Sequence, residues 1–360
     1  MKLPLAKKLN AEKYVAGLSL FKQKMAKIKL SANECALGPS PKATKEYLKV
    51  SKNFKRYPDS DGTFLRKTIA KKHRLDPNRI ILGAGSDQIF EFICRAFLSK
   101  NDEVIVPKYS FIIYRIYSKL NYAKIIYSKE ENYKISVKDI LAKVTAKTKI
   151  VFLANPNNPT GTYLNKKEIK YLRKKLRSNI LLVIDDAYFE YINFKDYDSG
   201  LKLFSNSKNV IVTRTFSKVY GLAGLRIGWG YSSKNIIDSL NKVKPPFNIS
   251  RPALFAATAA IQDTKWLNKE LKHVRNWSKK FFNVFQSLNI ETNFSGTNFL
   301  LINFDRVKIT SKQAFIALAK KGILLRQMEV YDIKNSLRVT VGSSNENRKF
   351  ITAIKKVVNV

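Results

Sequence analysis

From about residue 79 the chain alternates short, β-branched apolar runs with longer segments whose apolar positions recur at helical spacing. The runs are Arg79–Leu82, Glu103–Pro107, Lys124–Tyr127, Ile150–Ala154, Ile180–Ile184, Val210–Thr213 and Arg226–Trp229. Most are continuously apolar rather than alternating, which is the pattern of strands buried on both faces. Helix-period stretches such as Asp87–Leu98 and Lys166–Arg177 lie between most of them. An α/β fold is therefore expected, with a mostly parallel seven-stranded sheet covered by helices. Near Pro245-Pro246 the pattern breaks. A long charged helix is predicted from Ala253 to Leu288, then strand-like runs Phe299–Phe304 and Leu337–Val341 around a helical Ser311–Lys321. These predict a smaller α+β domain. The expected organisation is an N-terminal arm over residues 1–40 contributing to the small domain, a large domain over 41–245, and a small C-terminal domain over 246–360.

Charge changes this picture little. The chain carries 67 Lys+Arg against 27 Asp+Glu, a net +40, which invites a nucleic-acid partner. The lysines, however, are spread from Lys2 to Lys356, with pairs such as Lys166-Lys167, Lys174-Lys175 and Lys279-Lys280 on predicted helix faces. No basic block interleaved with aromatics occurs, so no specific nucleic-acid face is expected, only polyanion binding at low salt. Two separated cysteines, Cys35 and Cys94, form no CxxC pair, and the only histidines are His73 and His273. Metal sites and Ser-His triads lack material; both histidines are expected on helix surfaces, and the cysteines suit a reducing compartment. The start MKLPLAKKLN is too polar for a signal peptide, and no run approaches a membrane span. A cytoplasmic protein is expected.

Candidate chemistry collects at the ends of the predicted strands. Glycine is scarce, 14 in 360, yet Gly83, Gly85, Gly161, Gly221, Gly224, Gly228 and Gly230 all stand at or just beyond strand ends. In an open α/β sheet that is where ligands bind. Gly83-Ala84-Gly85-Ser86-Asp87 joins a strand to a helix and offers free N–H groups to a phosphate. It matches neither GxGxxG nor a Walker A loop, which disfavours NAD and ATP. Asn155-Pro156-Asn157-Asn158-Pro159-Thr160-Gly161 imposes an irregular backbone whose amides can donate into a cleft. In Asp185-Asp186-Ala187-Tyr188, one carboxylate at a central strand end needs a cation or donor, while the other could cap a helix. Lys218, in Arg214-Thr215-Phe216-Ser217-Lys218, follows a buried strand and has Arg226 nearby. A partly desolvated lysine beside cations has a lowered pKa, which suits Schiff-base chemistry.

Taken in order, these segments resemble the fold-type I pyridoxal-phosphate aminotransferases, and within them the histidinol-phosphate aminotransferase family. The resemblance spans nearly the whole chain, through Tyr14-Val15-Ala16-Gly17, Ser31–Ser40, Arg56-Tyr57-Pro58-Asp59, Gly85-Ser86-Asp87, Asn158-Pro159-Thr160-Gly161, Asp185-x-x-Tyr188, Ser217-Lys218 and Leu337-Arg338-Val339-Thr340. It departs in Asn33-Glu34-Cys35-Ala36, which lacks the family's second Asn and its Pro, and at Ala16, where Pro is usual. The resemblance implies pyridoxal 5'-phosphate bound as a Schiff base to Lys218, which also acts as the base. Asp185 would pair with the ring nitrogen, Asn158 and Tyr188 with the ring's phenolate oxygen, and Tyr109 would stack on the ring. The cofactor phosphate would meet Gly85, Ser86, Asp87, Thr215, Ser217 and Arg226, with Tyr57 reaching it from a neighbouring subunit and so implying a homodimer. Substrate would meet Tyr14, Asn33, Arg326 and Arg338, the last as a bidentate partner for carboxylate or phosphate. The implied reaction converts imidazole-acetol phosphate and L-glutamate into L-histidinol phosphate and 2-oxoglutarate. Alternatives on the same site are an aromatic amino-acid aminotransferase or a phospho-amino-acid decarboxylase. A nucleic-acid-binding protein on an enzyme fold is the alternative suggested by charge alone.

Overall fold

The computed structural model describes residues 11–15, 17–21, 24–53, 55–293 and 295–358; the Met1–Asn10 start and Ala16 of the arm lie outside the described residues. The large sheet has strands β1 (Ile80–Gly83), β2 (Glu103–Pro107), β3 (Lys124–Ser128), β4 (Thr148–Ala154), β5 (Leu181–Asp185), β6 (Val210–Thr215) and β7 (Gly228–Tyr231). Their order is β1-β7-β6-β5-β4-β2-β3. Neighbours run parallel except at β7, which is antiparallel to both β6 and β1. Every residue of β1, β2, β5, β6 and β7 is buried, as continuous apolar runs require. Edge strand β3 has one neighbour and is mostly exposed or half-buried.

Among the helices that bear on the site or the sheet faces are α1 (Pro41–Val50), α2 (Thr63–His73), α3 (Ser86–Phe97), α4 (Ile113–Leu120) and α5 (Lys166–Lys175). Helix α5 begins in a capping box, Asn165 accepting from the Glu168 N–H while Glu168 accepts from Asn165 N–H. Three local expectations are corrected. Arg226 does not open a strand; it sits in a left-handed turn (φ 50°) ahead of β7. The predicted Ala253–Leu288 helix is two, α6 (Arg251–Gln262) and α7 (Thr264–Ser287), because Asp263 leaves helical geometry and its carboxylate caps the Trp266 N–H. The histidines are half-buried: His73 packs on Trp229 and is pushed down to about 3, by burial first and then by Arg214. His273 lies 2.9 Å from the Gly342 carbonyl.

The break at Pro245-Pro246 is not where the cores divide. Helix α6 buries Ala253, Leu254, Ala256, Ala257, Ala260 and Ile261 in one cluster with Ala43 of α1 and Leu65 and Ile69 of α2. The smaller core begins with Val274 and Trp277 of α7. It packs against an antiparallel sheet of β8 (Glu291–Thr292), β9 (Phe299–Asn303), β10 (Arg326–Gln327) and β11 (Ser336–Thr340), ordered β8-β9-β11-β10. Helices α8 (Ser311–Lys320) and α9 (Ser344–Val358) complete it. The arm joins this smaller unit, where Ile28–Lys29 pairs with Ile323–Leu324 and the Leu30 carbonyl accepts from Thr340 N–H at 2.9 Å. No helix among the described residues is long and apolar enough to cross a membrane.

Beyond that pairing, the arm is tied down by a buried carboxylate. Glu270 of α7 accepts from Ala36 N–H and Leu37 N–H, both at 3.1 Å. Glu270→Ala would strand two amides, so a loss of about 2 kcal/mol in urea unfolding is expected. An unchanged midpoint would mean the arm is held elsewhere.

Candidate active site

Parallel strands deliver their carboxyl ends to one edge of the sheet, and here Ala154, Asp185 and Thr215 end β4, β5 and β6 at a cavity of about 470 Å³. Helix α3 enters the same space by its N-terminus. Its N-cap, Gly85 (φ 80°), offers no side chain to the first-turn N–H groups. Opposite stand Thr215, Ser217 and Arg226, whose Nη1 donates to Ser217 Oγ at 3.3 Å and whose Nη2 donates to Asp87 Oδ2 at 3.2 Å. An uncapped helix end, hydroxyls and a guanidinium make a seat for a dianionic phosphate. The backbone is built tight around it. A Cβ on Gly228 would lie 2.4 Å from Ser86 N, and one on Gly85 would lie 2.4 Å from Arg226 Nη2.

Asp185 is buried and its carboxyl is pushed up to about 6, above all by burial. Tyr114 of α4 donates to Oδ2 at 2.6 Å, while Thr213 Oγ1 (3.3 Å) and Ala187 N–H (3.2 Å) donate to Oδ1. Asp186 faces the other way, accepting from Gly200 N–H at 2.9 Å and lying 3.7 Å from Arg214. Two adjacent aspartates thus take separate tasks: one faces the cavity and the other starts a short helix.

Lys218 lines the cavity with its amine 5.7 Å from the centre of the Tyr188 ring. Burial first, and the Arg338 charge second, pull its pKa down to about 8. From the smaller unit, Arg338 donates to Asn158 Oδ1 and to the Ser31 carbonyl, and its Nε is buried without a partner. Asn33 (φ 55°) accepts from Thr340 Oγ1 at 3.1 Å and donates to Tyr188 OH at 2.8 Å. Arg326 donates to the Val15 carbonyl at 2.7 Å, so the arm crosses the mouth beside Tyr14.

Of the expected site residues, the cavity gathers Tyr14, Asn33, Ser86, Asp87, Asn158, Asp185, Tyr188, Thr215, Ser217, Lys218, Arg226, Arg326 and Arg338. Tyr109 stands outside it, its ring meeting Tyr133 at 5.7 Å and its N–H bonded to Glu130. Phe111 lines the space instead. Tyr57 is also outside, stacked on Phe247 at 4.6 Å on another face. Sequence reasoning passed over Phe111 and Tyr114, because an aromatic in an apolar helical run carries no local mark of a role.

The aminotransferase class I and II family model matches residues 26–354. Along all 360 residues, and covering 100% of both chains, the protein is 51% identical to the histidinol-phosphate aminotransferase of Pelagibacter ubique (strain HTCC1062). The chain belongs to the class I and II aminotransferases, in the histidinol-phosphate aminotransferase family. The corresponding enzyme of Rhodopseudomonas palustris (strain BisB18) is 41% identical over 348 residues, 96% of this chain and 95% of that one. Among solved structures, histidinol-phosphate aminotransferase from Sinorhizobium meliloti, in complex with pyridoxal-5'-phosphate, superposes with a TM-score of 0.87 at 23% identity. That match covers 93% of this chain and 92% of the other, and shows the shared fold. The fold-type I aminotransferase architecture expected from the motifs is the one found.

Two outcomes follow for this aminotransferase. Because the Lys218 amine is free above about 8 and protonated below, reductive trapping of an aryl aldehyde on Lys218 should rise half-maximally near that pH. Surface lysines should need roughly pH 10 or more. Mass-spectrometric site counting against pH checks this, and parallel curves would refute it. Gly228→Ala should weaken phosphate and phosphate-ester binding at least tenfold while the protein stays folded, read by equilibrium dialysis and circular dichroism.

Proposed function

We propose that the protein transfers an amino group between L-glutamate and imidazole-acetol phosphate, giving 2-oxoglutarate and L-histidinol phosphate in histidine biosynthesis, with pyridoxal 5'-phosphate as cofactor. The observation that carries this reading is the lowered, cavity-facing Lys218 amine, with a buried carboxylate on one neighbouring strand end and a buried arginine opposite.

The residues present fit the cofactor. The uncapped start of α3 with Thr215, Ser217 and Arg226 would hold its phosphate, and Arg226 would exchange part of its bonding to Asp87 for that anion. Asp185 would face the ring nitrogen, and Asn158 and Tyr188 the phenolate oxygen. When bound, the cofactor supplies a carbonyl carbon to accept the amine and a protonated ring to withdraw electrons. The chain supplies the rest. Lys218 would hold the cofactor's carbonyl end and would take the proton from the substrate's α-carbon as general base, a task that an amine lowered to about 8 suits. Arg338 is already rigid, held by Asn158 and Ser31, so it can grip a carboxylate or phosphate with little loss of entropy. Arg326 and Tyr14 close the outer end, where a second anionic group would sit.

A homodimer belongs to this reading. Tyr57 (80% exposed) and Phe64 (70% exposed) line a separate groove of about 780 Å³ with Leu254 and Phe255. An exposed apolar face of this kind supports a second copy docking there and offering Tyr57 to the partner's phosphate seat.

The reading is tested by the absorbance of the protein loaded with pyridoxal phosphate. L-Histidinol phosphate should bleach the band of the bound cofactor, and 2-oxoglutarate should restore it without release of carbon dioxide. A band that responds to phenylalanine or tyrosine but ignores histidinol phosphate would move the substrate. No band at all would overturn the cofactor assignment. In the same assay Lys218→Ala should abolish restoration, and Arg338→Lys should raise KM for both anionic substrates at least tenfold.

A further inference from the structure

The mechanism uses Asp185 as a fixed anion, yet burial alone would drive its carboxyl towards neutrality. What resists this comes mainly from one side chain that lies outside the cavity. Tyr114 is completely buried in α4, and among the described residues its hydroxyl is the sole donor to Asp185 Oδ2, at 2.6 Å. The ring has no freedom. It stacks on Phe152 at 4.8 Å and 6°, and meets Phe90 and Phe111 edge-on at 5.0 and 5.7 Å. For packing alone a phenylalanine would serve; the hydroxyl, among apolar rings, has a reason only in the carboxylate it reaches.

We infer that Tyr114 is a positioning residue: its hydroxyl locks the Asp185 carboxylate from behind, so that Asp185 meets the cofactor's ring nitrogen as one rigid anion. The inference rests on the proposed function. Tyr114 acts as donor throughout, because burial and the adjacent carboxylate raise its own pKa well above the usual tyrosine value. The groups facing Asp185 are Tyr114 from α4, Asp87 from α3, Tyr188 beyond β5 and Thr213 from β6. After burial, Tyr114 acts most strongly and pulls the carboxyl down; Asp87 pushes it up; Ala187 N–H and Thr213 pull it down. Removing the Tyr114 hydroxyl therefore raises the Asp185 pKa, and the anion is lost at a higher pH than in the parent.

The test compares the full-length parent, Tyr114→Phe and Thr213→Val, each loaded with pyridoxal phosphate. Two quantities are followed from acid to neutral pH: the dissociation constant of the cofactor and the acid limb of kcat. Tyr114→Phe should bind the cofactor roughly tenfold more weakly at neutral pH. Its acid limb should move up by about one pH unit. Thr213→Val, which removes the longer bond to Oδ1, should shift the same limb by less, and stands in if the phenylalanine variant does not fold. Affinity and acid limb unchanged in the variants would overturn the inference, as would a loss of affinity equal at every pH, which is what a purely structural role predicts. A parent that binds no pyridoxal phosphate would instead overturn the proposed function itself.

Discussion

A carboxylate and an amine lie buried around one cavity at the carboxyl edge of the large sheet, and neither is at ease there. Burial pushes Asp185 up to about 6 and pulls Lys218 down to about 8, each towards its neutral form. For the amine this is useful, since a base must be free to take a proton. On the proposed reading it is a threat for the carboxylate, because a neutral acid could not sustain a positive charge on the cofactor ring it would face. The donors around Asp185 come from α4, β6 and its own following turn, so three elements must be in register before the charge is stable. The parallel order of β4, β5 and β6 brings this about, because every strand ends at the same edge.

On the proposed reading, recognition would be divided between two bodies in a way that matches this electrostatic split. The large sheet holds the groups that need a rigid, dry setting: Asp185, Lys218 and the start of α3. The smaller sheet presents Arg326 from β10 and Arg338 from β11, while the arm that pairs with it brings Asn33 and Tyr14 to the mouth. Several polar contacts stitch these parts together at the site itself. Arg338 bonds Asn158, Asn33 bonds Tyr188, and Asn298 donates to the Asn33 and Glu34 carbonyls. Substrate anions would enter at this seam, where positively charged side chains are already held in place.

The +40 charge stands apart from all of this. Lys167, Lys174, Lys175, Lys279 and Lys280 are exposed on helix faces, away from the cavity. Their field can raise the encounter rate of anionic substrates at low salt.

Much of the architecture could be read locally. Seven runs became seven strands, most of them because burial on both faces leaves a mark in consecutive residues, and Glu103–Pro107 matches its strand end for end. The gathering of candidate groups was legible too: Asn158 of the Asn-Pro turn and Asp185 at the end of a buried strand, both marked by their residue types, line one cavity. Other features left no such mark. Asp263 splits what looks like one helix because its carboxylate finds the Trp266 N–H, and α6 joins the large core although it follows Pro246. Tyr114 lies 71 residues from Asp185, and nothing in IIYRIYSKL separates it from an ordinary core aromatic. The sequence by itself determined the strands, most of the helices and the kinds of reactive groups, since each depends on neighbours a few residues away. Which hydroxyl meets which carboxylate, and how far each pKa moves, only the tertiary structure decided, because burial and distance are properties of the packed chain.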